Sequence, residues 1–180
     1  MKNLCGGFLS LLVPLFGTAA QHEQHMKSPT AASPAPQAMA QHHAFLEAER
    51  EAIERGEGFG MALAADRNGY PGPKHVLELK KELKLTSAQE AAMVRLMAEM
   101  KTKALAKGTD VLLAEKRLEE LFAQGKSEDE LREETYRVAS LRAELRWVHL
   151  ATHLAAKKIL TAQQIAAYQQ MRHGQGMKAQ

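Results

Sequence analysis

Two histidines in the last third of the chain have a spacing that could bind a metal ion. His149 and His153 stand four residues apart in the segment VHLATH, and on a helix residues i and i+4 project from the same face. Two imidazoles in this arrangement can share one ion, as in helical zinc sites. The same pair can equally pack beside an apolar seam and form hydrogen bonds without metal, so the spacing leaves both interpretations open.

A second group of possible ligands lies towards the start of the chain. It consists of His22, His25, His42 and His43, with Met26 and Met39 nearby. Imidazole and thioether groups on a mobile segment could capture copper, nickel or zinc weakly. The alternative is a solvated linker without a ligand.

The motifs that most resemble those of enzymes are incomplete. The segment HEQH at residues 22–25 is one residue short of the H-E-x-x-H motif of zinc proteases. The segment GEGFG at residues 56–60 lacks both the preceding strand and the following Lys-Ser/Thr of a phosphate-binding loop. Because no nucleophile with a partnered base can be identified, we predict that the protein is not an enzyme.

The first 20 residues of this 180-residue chain have the form of a secretory signal. Lys2 precedes an apolar run from Leu4 to Phe16, and the small residues GTAA follow. We therefore expect an exported protein, with an uncleaved membrane anchor as the alternative. Cleavage would remove the only cysteine, Cys5, so the mature chain could form neither a disulfide nor a thiolate metal site. One of the 24 basic residues lies in the signal, which leaves 23 against 21 acidic residues and predicts no binding to nucleic acid.

Composition and helix signals divide the rest of the chain into three segments. Residues 21–40 are rich in His, Met, Pro and Ala and predict a disordered tail. Residues 41–72 predict a helix from Gln41 to Arg55 followed by a Gly-rich linker, with one possible helical turn at Met61 to Ala65. Residues 73–174 predict a helical domain, which opens with Pro73 at a first helical position.

Three capping boxes mark the helix starts of this last segment. They are formed by Thr86 and Gln89, by Ser127 and Glu130, and by Thr161 and Gln164. We predict a short helix from Pro73 to about Lys84, long helices after Thr86 and Ser127, and a last helix after Thr161. A gap in the apolar pattern at Lys107 and Gly108 is a candidate kink.

The three residues between the two long helices can only reverse the chain. The sequence therefore predicts an all-α fold built on a long antiparallel helical hairpin with short flanking helices. One seam cannot bury the apolar stripes of two such long helices, so we expect the hairpin to form a homodimer.

Two copies of the motif L-T-x-x-Q stand on either side of this hairpin, at Leu85 to Gln89 and at Leu160 to Gln164. After a secretion signal, this pair resembles the Spy/CpxP family of periplasmic stress proteins and the related CnrX-like heavy-metal sensors and resistance proteins. The resemblance covers about residues 73–172. It implies a cradle-like helical dimer in the periplasm. It also implies either ATP-independent chaperoning of unfolded clients or metal binding coupled to a membrane signalling protein.

The resemblance adds two candidate ligands to the histidine pair. His75 matches approximately the first metal-binding histidine of the CnrX-like sensors, although Leu79 and Lys80 stand where its partner is expected. The position of a sensor carboxylate falls on Met97, with Glu90 and Glu99 nearby. Thioether combined with imidazole favours copper. The helical spacing of Met93, Met97 and Met100 also suits core positions.

These observations together predict a periplasmic heavy-metal-binding sensor or resistance protein of the envelope stress response. The expected ion is copper, nickel, zinc or cobalt, and the candidate ligands are His149, His153, His75 and Met97. The alternative is a Spy/CpxP-type chaperone that binds unfolded clients without ATP.

Overall fold

The computed structural model of the protein describes residues 35–173. Within them the chain forms helices and no strand, which confirms the all-α class. The helices are α1 (Ala35–Glu54), α2 (Leu63–Arg67), α3 (Pro73–Glu78), α4 (Ser87–Ala123), α5 (Glu128–Ile159) and α6 (Ala162–His173). None of these helices is long and apolar enough to cross a membrane. The predicted signal, His22 and His25 lie outside the described residues.

The two long helices, α4 and α5, pack against each other as a hairpin. The chain reverses at Gly125, whose φ of 63° is one that glycine adopts without strain. Towards the middle of the hairpin, Ala104, Val111 and Leu145 form an apolar cluster with Ile53 of α1. A second cluster lies at the open end of the hairpin, where it includes Val76, Leu83, Met93, Ala156, Leu160 and Tyr168.

All three predicted capping boxes are present. The Oγ1 atom of Thr86 accepts a hydrogen bond from the backbone N–H of Gln89 at 3.2 Å, and the Oε1 atom of Gln89 accepts one from the backbone N–H of Thr86 at 3.1 Å. Ser127 with Glu130, and Thr161 with Gln164, make the same reciprocal pair. Each box satisfies two backbone donors that a helix leaves free at its start.

The two LTxxQ motifs also contact each other. Nε2 of Gln89 donates to Oε1 of Gln164 at 2.9 Å, and Nε2 of Gln164 donates to Oε1 of Gln89 at 3.0 Å. The same amide groups donate to the backbone oxygens of Ile159 at 3.0 Å and Leu83 at 3.2 Å. The start of α4, the end of α5 and the start of α6 are thereby joined at one point.

Three boundaries differ from the sequence predictions. Helix α1 begins at Ala35 instead of Gln41, because Pro36 suits a first helical turn and Ala, Gln and Met favour the helix that follows. Helix α2 covers Leu63–Arg67 instead of Met61 to Ala65. Helix α3 ends at Glu78 and not near Lys84; the chain continues in turns until Lys84, which has a φ of 50°.

Helix α4 runs unbroken through the predicted kink at Lys107 and Gly108. The gap in the apolar pattern is where the last turn of α1 contacts α4. A Cβ atom on Gly108 would lie 2.9 Å from Cγ2 of Ile53 and 3.0 Å from the Ile53 carbonyl oxygen. The glycine therefore permits close helix packing at this position, and the break in periodicity marks a contact.

Candidate metal centre

A cavity of about 590 Å³ lies where the Gly-rich linker and the start of α3 cover the hairpin. The predicted ligands His75, Met97, His149 and His153 all line it. They come from α3, α4 and α5, so the fold brings together side chains that are far apart in the sequence. Met100, which the sequence analysis assigned only to the core, lines the same cavity.

His149 is the most buried of these residues. Its side chain is 3% exposed, and its Nε2 atom has no hydrogen-bond partner among residues 35–173. Burial, with a further contribution from the charge of His153, lowers the pKa of His149 below its ordinary value. The ring is therefore neutral at pH 7, and a neutral imidazole has a lone pair that can bind a metal.

His153 lies one turn further along α5 and has a defined tautomer. Its Nδ1 atom is 2.7 Å from the carbonyl oxygen of Tyr70. A carbonyl oxygen can only accept, so Nδ1 carries the hydrogen and the lone pair of the neutral ring is on Nε2. A backbone carbonyl that holds one ring nitrogen in this way is typical of histidines that bind a metal through the other.

Two glycines of the linker leave room for the two imidazole rings. A Cβ atom on Gly58 would lie 3.2 Å from Nδ1 of His149. A Cβ atom on Gly72 would lie 2.9 Å from both Nε2 and Cε1 of His153. The sequence analysis treated these glycines only as signals of a loop, because their contacts depend on how the linker folds over α5.

The carboxylates that line the cavity have partners of their own. Glu57 forms an ion pair with Arg55 at 3.3 Å. Asp66 accepts a hydrogen bond from the Tyr168 hydroxyl at 3.1 Å and pairs with Arg172 at 3.6 Å. Within the described part of the chain, no three His, Cys, Asp or Glu residues are grouped as a metal site. Apart from the histidines, the uncharged metal-binding side chains that line the cavity are the thioethers of Met97 and Met100.

Tyr168 helps to hold Asp66 in place. Its side chain is fully buried in the apolar cluster at the open end of the hairpin, and burial followed by the charge of Asp66 raises the pKa of Tyr168 to about 12. The hydroxyl therefore stays protonated over the physiological range and continues to donate to the Asp66 carboxylate.

The remaining predicted ligands are less favourably placed. The Nδ1 atom of His75 is 2.9 Å from Oε2 of Glu78, and its side chain is one-third exposed. Glu90, near the carboxylate position of the sensors, pairs with Lys80 at 2.5 Å. Glu99 is exposed. His42 and His43 lie on the exposed first half of α1, with ring centroids 6.4 Å apart.

Comparisons of the chain with protein-family models, with curated proteins and with solved structures found no match. The class of this protein is therefore described by its fold and its cavity. It is an all-α protein in which histidine and methionine side chains line one cavity near the open end of a helical hairpin.

Proposed function

We propose that the protein is a periplasmic heavy-metal-binding sensor or resistance protein of the envelope stress response. The observation that carries the proposal is that His75, Met97, His149 and His153 line one cavity from three different helices. Imidazole and thioether donors suit copper, nickel, zinc or cobalt better than magnesium or calcium. The periplasmic location rests on the secretory signal predicted for residues 1–20.

His149 and His153 are the proposed primary ligands. A buried polar atom without a partner costs about 1–3 kcal/mol, and a bound metal would give the His149 ring the partner that it lacks. The Tyr70 carbonyl holds His153 with Nε2 free to bind. His75 is a weaker candidate, because its side chain is one-third exposed whereas His149 is buried.

The proposal includes a homodimer and a membrane signalling protein as partners. Several large apolar side chains of the hairpin are more than half exposed, including Leu113, Phe122 and Trp147. Exposed apolar surface of this kind often marks a contact with another protein. Neither catalysis nor nucleic-acid binding is part of the proposed function.

Thermal unfolding of the full chain with and without metal tests the proposal. His22, His25, His42 and His43 are first replaced by Ala, so that the α1 and tail histidines cannot mimic the site. In this background, we expect copper, nickel, zinc or cobalt to raise the melting temperature. The stabilisation should reach about 2.7 kcal/mol when the free ion is a hundred times the dissociation constant.

The decisive variant changes His149 and His153 to Ala in the same background. Its matched control changes Leu150 and Leu154 to Ala, which stand at the same spacing one position further along α5. We expect the metal effect to disappear in the histidine variant and to persist in the control. A metal effect that survives the histidine changes, or no effect with any of the four metals, contradicts the proposal.

A second observation supports the alternative function as an ATP-independent chaperone. A groove of about 810 Å³ between α1 and α4 is lined by the apolar residues Leu112, Leu113, Leu118 and Phe122, with charged groups such as Arg50 and Lys116 beside them. A groove of this composition could hold an unfolded client. In this case, metal-free protein suppresses client aggregation without ATP, and replacing His149 and His153 leaves the suppression unchanged. Absence of suppression across several clients contradicts this alternative.

A further inference from the structure

The charge and the donor atoms of the cavity indicate which class of metal ion it can bind. Met97 and Met100 are three residues apart on α4, and both are partly exposed where they line the cavity. Their neighbours on the same helix, Met93 and Ala104, are fully buried in the two apolar clusters. Met97 and Met100 therefore line the same cavity as His149 and His153, in the interval of α4 between the two clusters.

The charged residues of the cavity provide no excess of negative charge for a doubly charged ion. Glu57 and Asp66 already neutralise Arg55 and Arg172, and the ammonium groups of Lys74 and Lys101 also belong to residues that line the cavity. Coulomb repulsion from a fixed positive charge doubles when the charge of the ion doubles. Two neutral imidazoles and two neutral thioethers offer no compensating negative charge.

We infer that the cavity selects a soft monovalent ion, Cu(I) or its analogue Ag(I), and that Met97 and Met100 bind it together with His149 and His153. Soft thioether ligands select Cu(I), whereas carboxylate and carbonyl oxygens suit harder ions. This inference rests on the proposed function, because it specifies the ion that the same cavity binds. It also adds Met100 to the ligands.

The test uses the full chain with His22, His25, His42 and His43 replaced by Ala. Cu(I) is added without oxygen in competition with a coloured Cu(I) chelator, and Ag(I), Zn(II), Ni(II) and Co(II) are followed by thermal unfolding. The variant M97L/M100L removes both sulfur atoms and keeps the side-chain volume nearly unchanged. The variant M93L, in the adjoining core, is the matched control.

We expect M97L/M100L to bind Cu(I) and Ag(I) about tenfold more weakly or worse, by analogy with the loss seen when groups supporting a metal site are removed. M93L should bind as the parent does. Cu(I) affinity that is unchanged in M97L/M100L overturns the inference. Divalent binding that needs His149 and His153 but not the methionines also overturns it, while the proposed function stands. Failure of every metal to bind overturns both.

X-ray absorption at the copper edge provides a readout that depends on no variant. The copper-loaded parent should show both nitrogen and sulfur neighbours. A spectrum without sulfur neighbours contradicts the inference even if the methionine variants fail to fold.

Discussion

At the scale of single residues, His149 is buried in a way that costs stability. Its ring is buried, neutral and without a hydrogen-bond partner for Nε2 among the described residues. An apolar side chain of similar size would avoid the cost of the buried polar atom. The proposed role of His149 as a metal ligand would account for an imidazole at this position.

The substitution His149→Leu tests this view without any metal. We expect the metal-free variant to be at least as stable as the parent at pH 7.5, with a gain of about 1 kcal/mol. The pKa of His149 is lower in the folded protein than in the unfolded chain, so the unfolded chain binds the proton first as pH falls. The free energy of unfolding of the parent should therefore fall as the pH drops below about 6.5, whereas that of the variant should not show this fall.

Urea unfolding at pH 7.5 and pH 5 in the presence of a metal chelator measures both effects. If His149→Leu is instead clearly less stable than the parent at both pH values, the imidazole stabilises the fold. This result would contradict the claim that the unpartnered Nε2 atom of His149 costs stability.

Gly72 provides a second test at this scale. Its φ of −83° and ψ of 145° are accessible to any residue, so the glycine is not needed for its backbone conformation. A Cβ atom there would lie 2.9 Å from Nε2 of His153. We expect Gly72→Ala to weaken metal binding by about tenfold or more, because the methyl group crowds the nitrogen proposed to bind the ion.

A double-substitution cycle with His153→Ala, measured by metal titration, provides the control. Once the imidazole is absent, Gly72→Ala should have little further effect on the residual affinity. Equal losses in the presence and absence of His153 would show that Gly72 acts elsewhere.

The residues of the site differ in how far they could be predicted. The i, i+4 spacing singled out His149 and His153, and the resemblance added His75 and Met97. All four line the same cavity, and their role as ligands stays a prediction. Gly58, Gly72 and Met100 were not identified as site residues, because local spacing carries no information about how a linker folds over a distant helix.

At the scale of elements, the structure explains why two of the three capping boxes contain Gln and one contains Glu. Either residue can accept from the N-cap backbone N–H. Only the amide also has an N–H₂ group, which Gln89 and Gln164 use to join the two LTxxQ motifs. Glu130 caps α5 at the far end of the hairpin, and its carboxylate is hydrogen-bonded to Ser127.

Substitution Gln89→Glu separates the two roles of this residue. It preserves the capping acceptor and places a favourable negative charge at a helix start. A role limited to capping therefore predicts no loss of stability. We expect a loss of about 1–3 kcal/mol, because the carboxylate cannot donate to Gln164 or to Ile159 and leaves partly buried acceptors unpaired.

The matched control is Glu130→Gln, which makes the reverse change in the Ser127 box. We expect it to change the free energy of unfolding by less than about 1 kcal/mol, since only an exposed charge is lost. Urea unfolding at pH 7 compares the two. Equally small effects would show that the contact between the motifs contributes nothing measurable.

The helix boundaries illustrate what a sequence encodes locally. Thr86, Ser127 and Thr161 marked the starts of α4, α5 and α6 because capping boxes are contacts between residues three positions apart. The gap in the apolar pattern at Gly108 was interpreted as a kink, and this prediction was wrong because the gap has no local cause. Its cause is Ile53 on another helix, and periodicity within one helix cannot show such a contact.

At the scale of the whole molecule, the hairpin supports two apolar clusters and the cavity near its open end. Residues from the linker, α3, α4 and α5 meet at this cavity, so a bound ion would connect the linker and α3 to the hairpin. The homodimer expected from the apolar stripes of the hairpin stays a prediction, as does the choice between metal sensing and chaperoning.

The most direct measurement of the central claim is nitrogen NMR of the histidine side chains in the full chain, with each imidazole assigned by substitution. In metal-free protein, the account predicts His153 with its hydrogen on Nδ1 and His149 neutral at pH 7. On titration with Ag(I), the ring nitrogens of His149 and His153 should shift together and saturate at one ion per chain. Unchanged signals from this pair with both Ag(I) and Zn(II), while His22, His25, His42 or His43 respond, would contradict the claim that the cavity is the metal site.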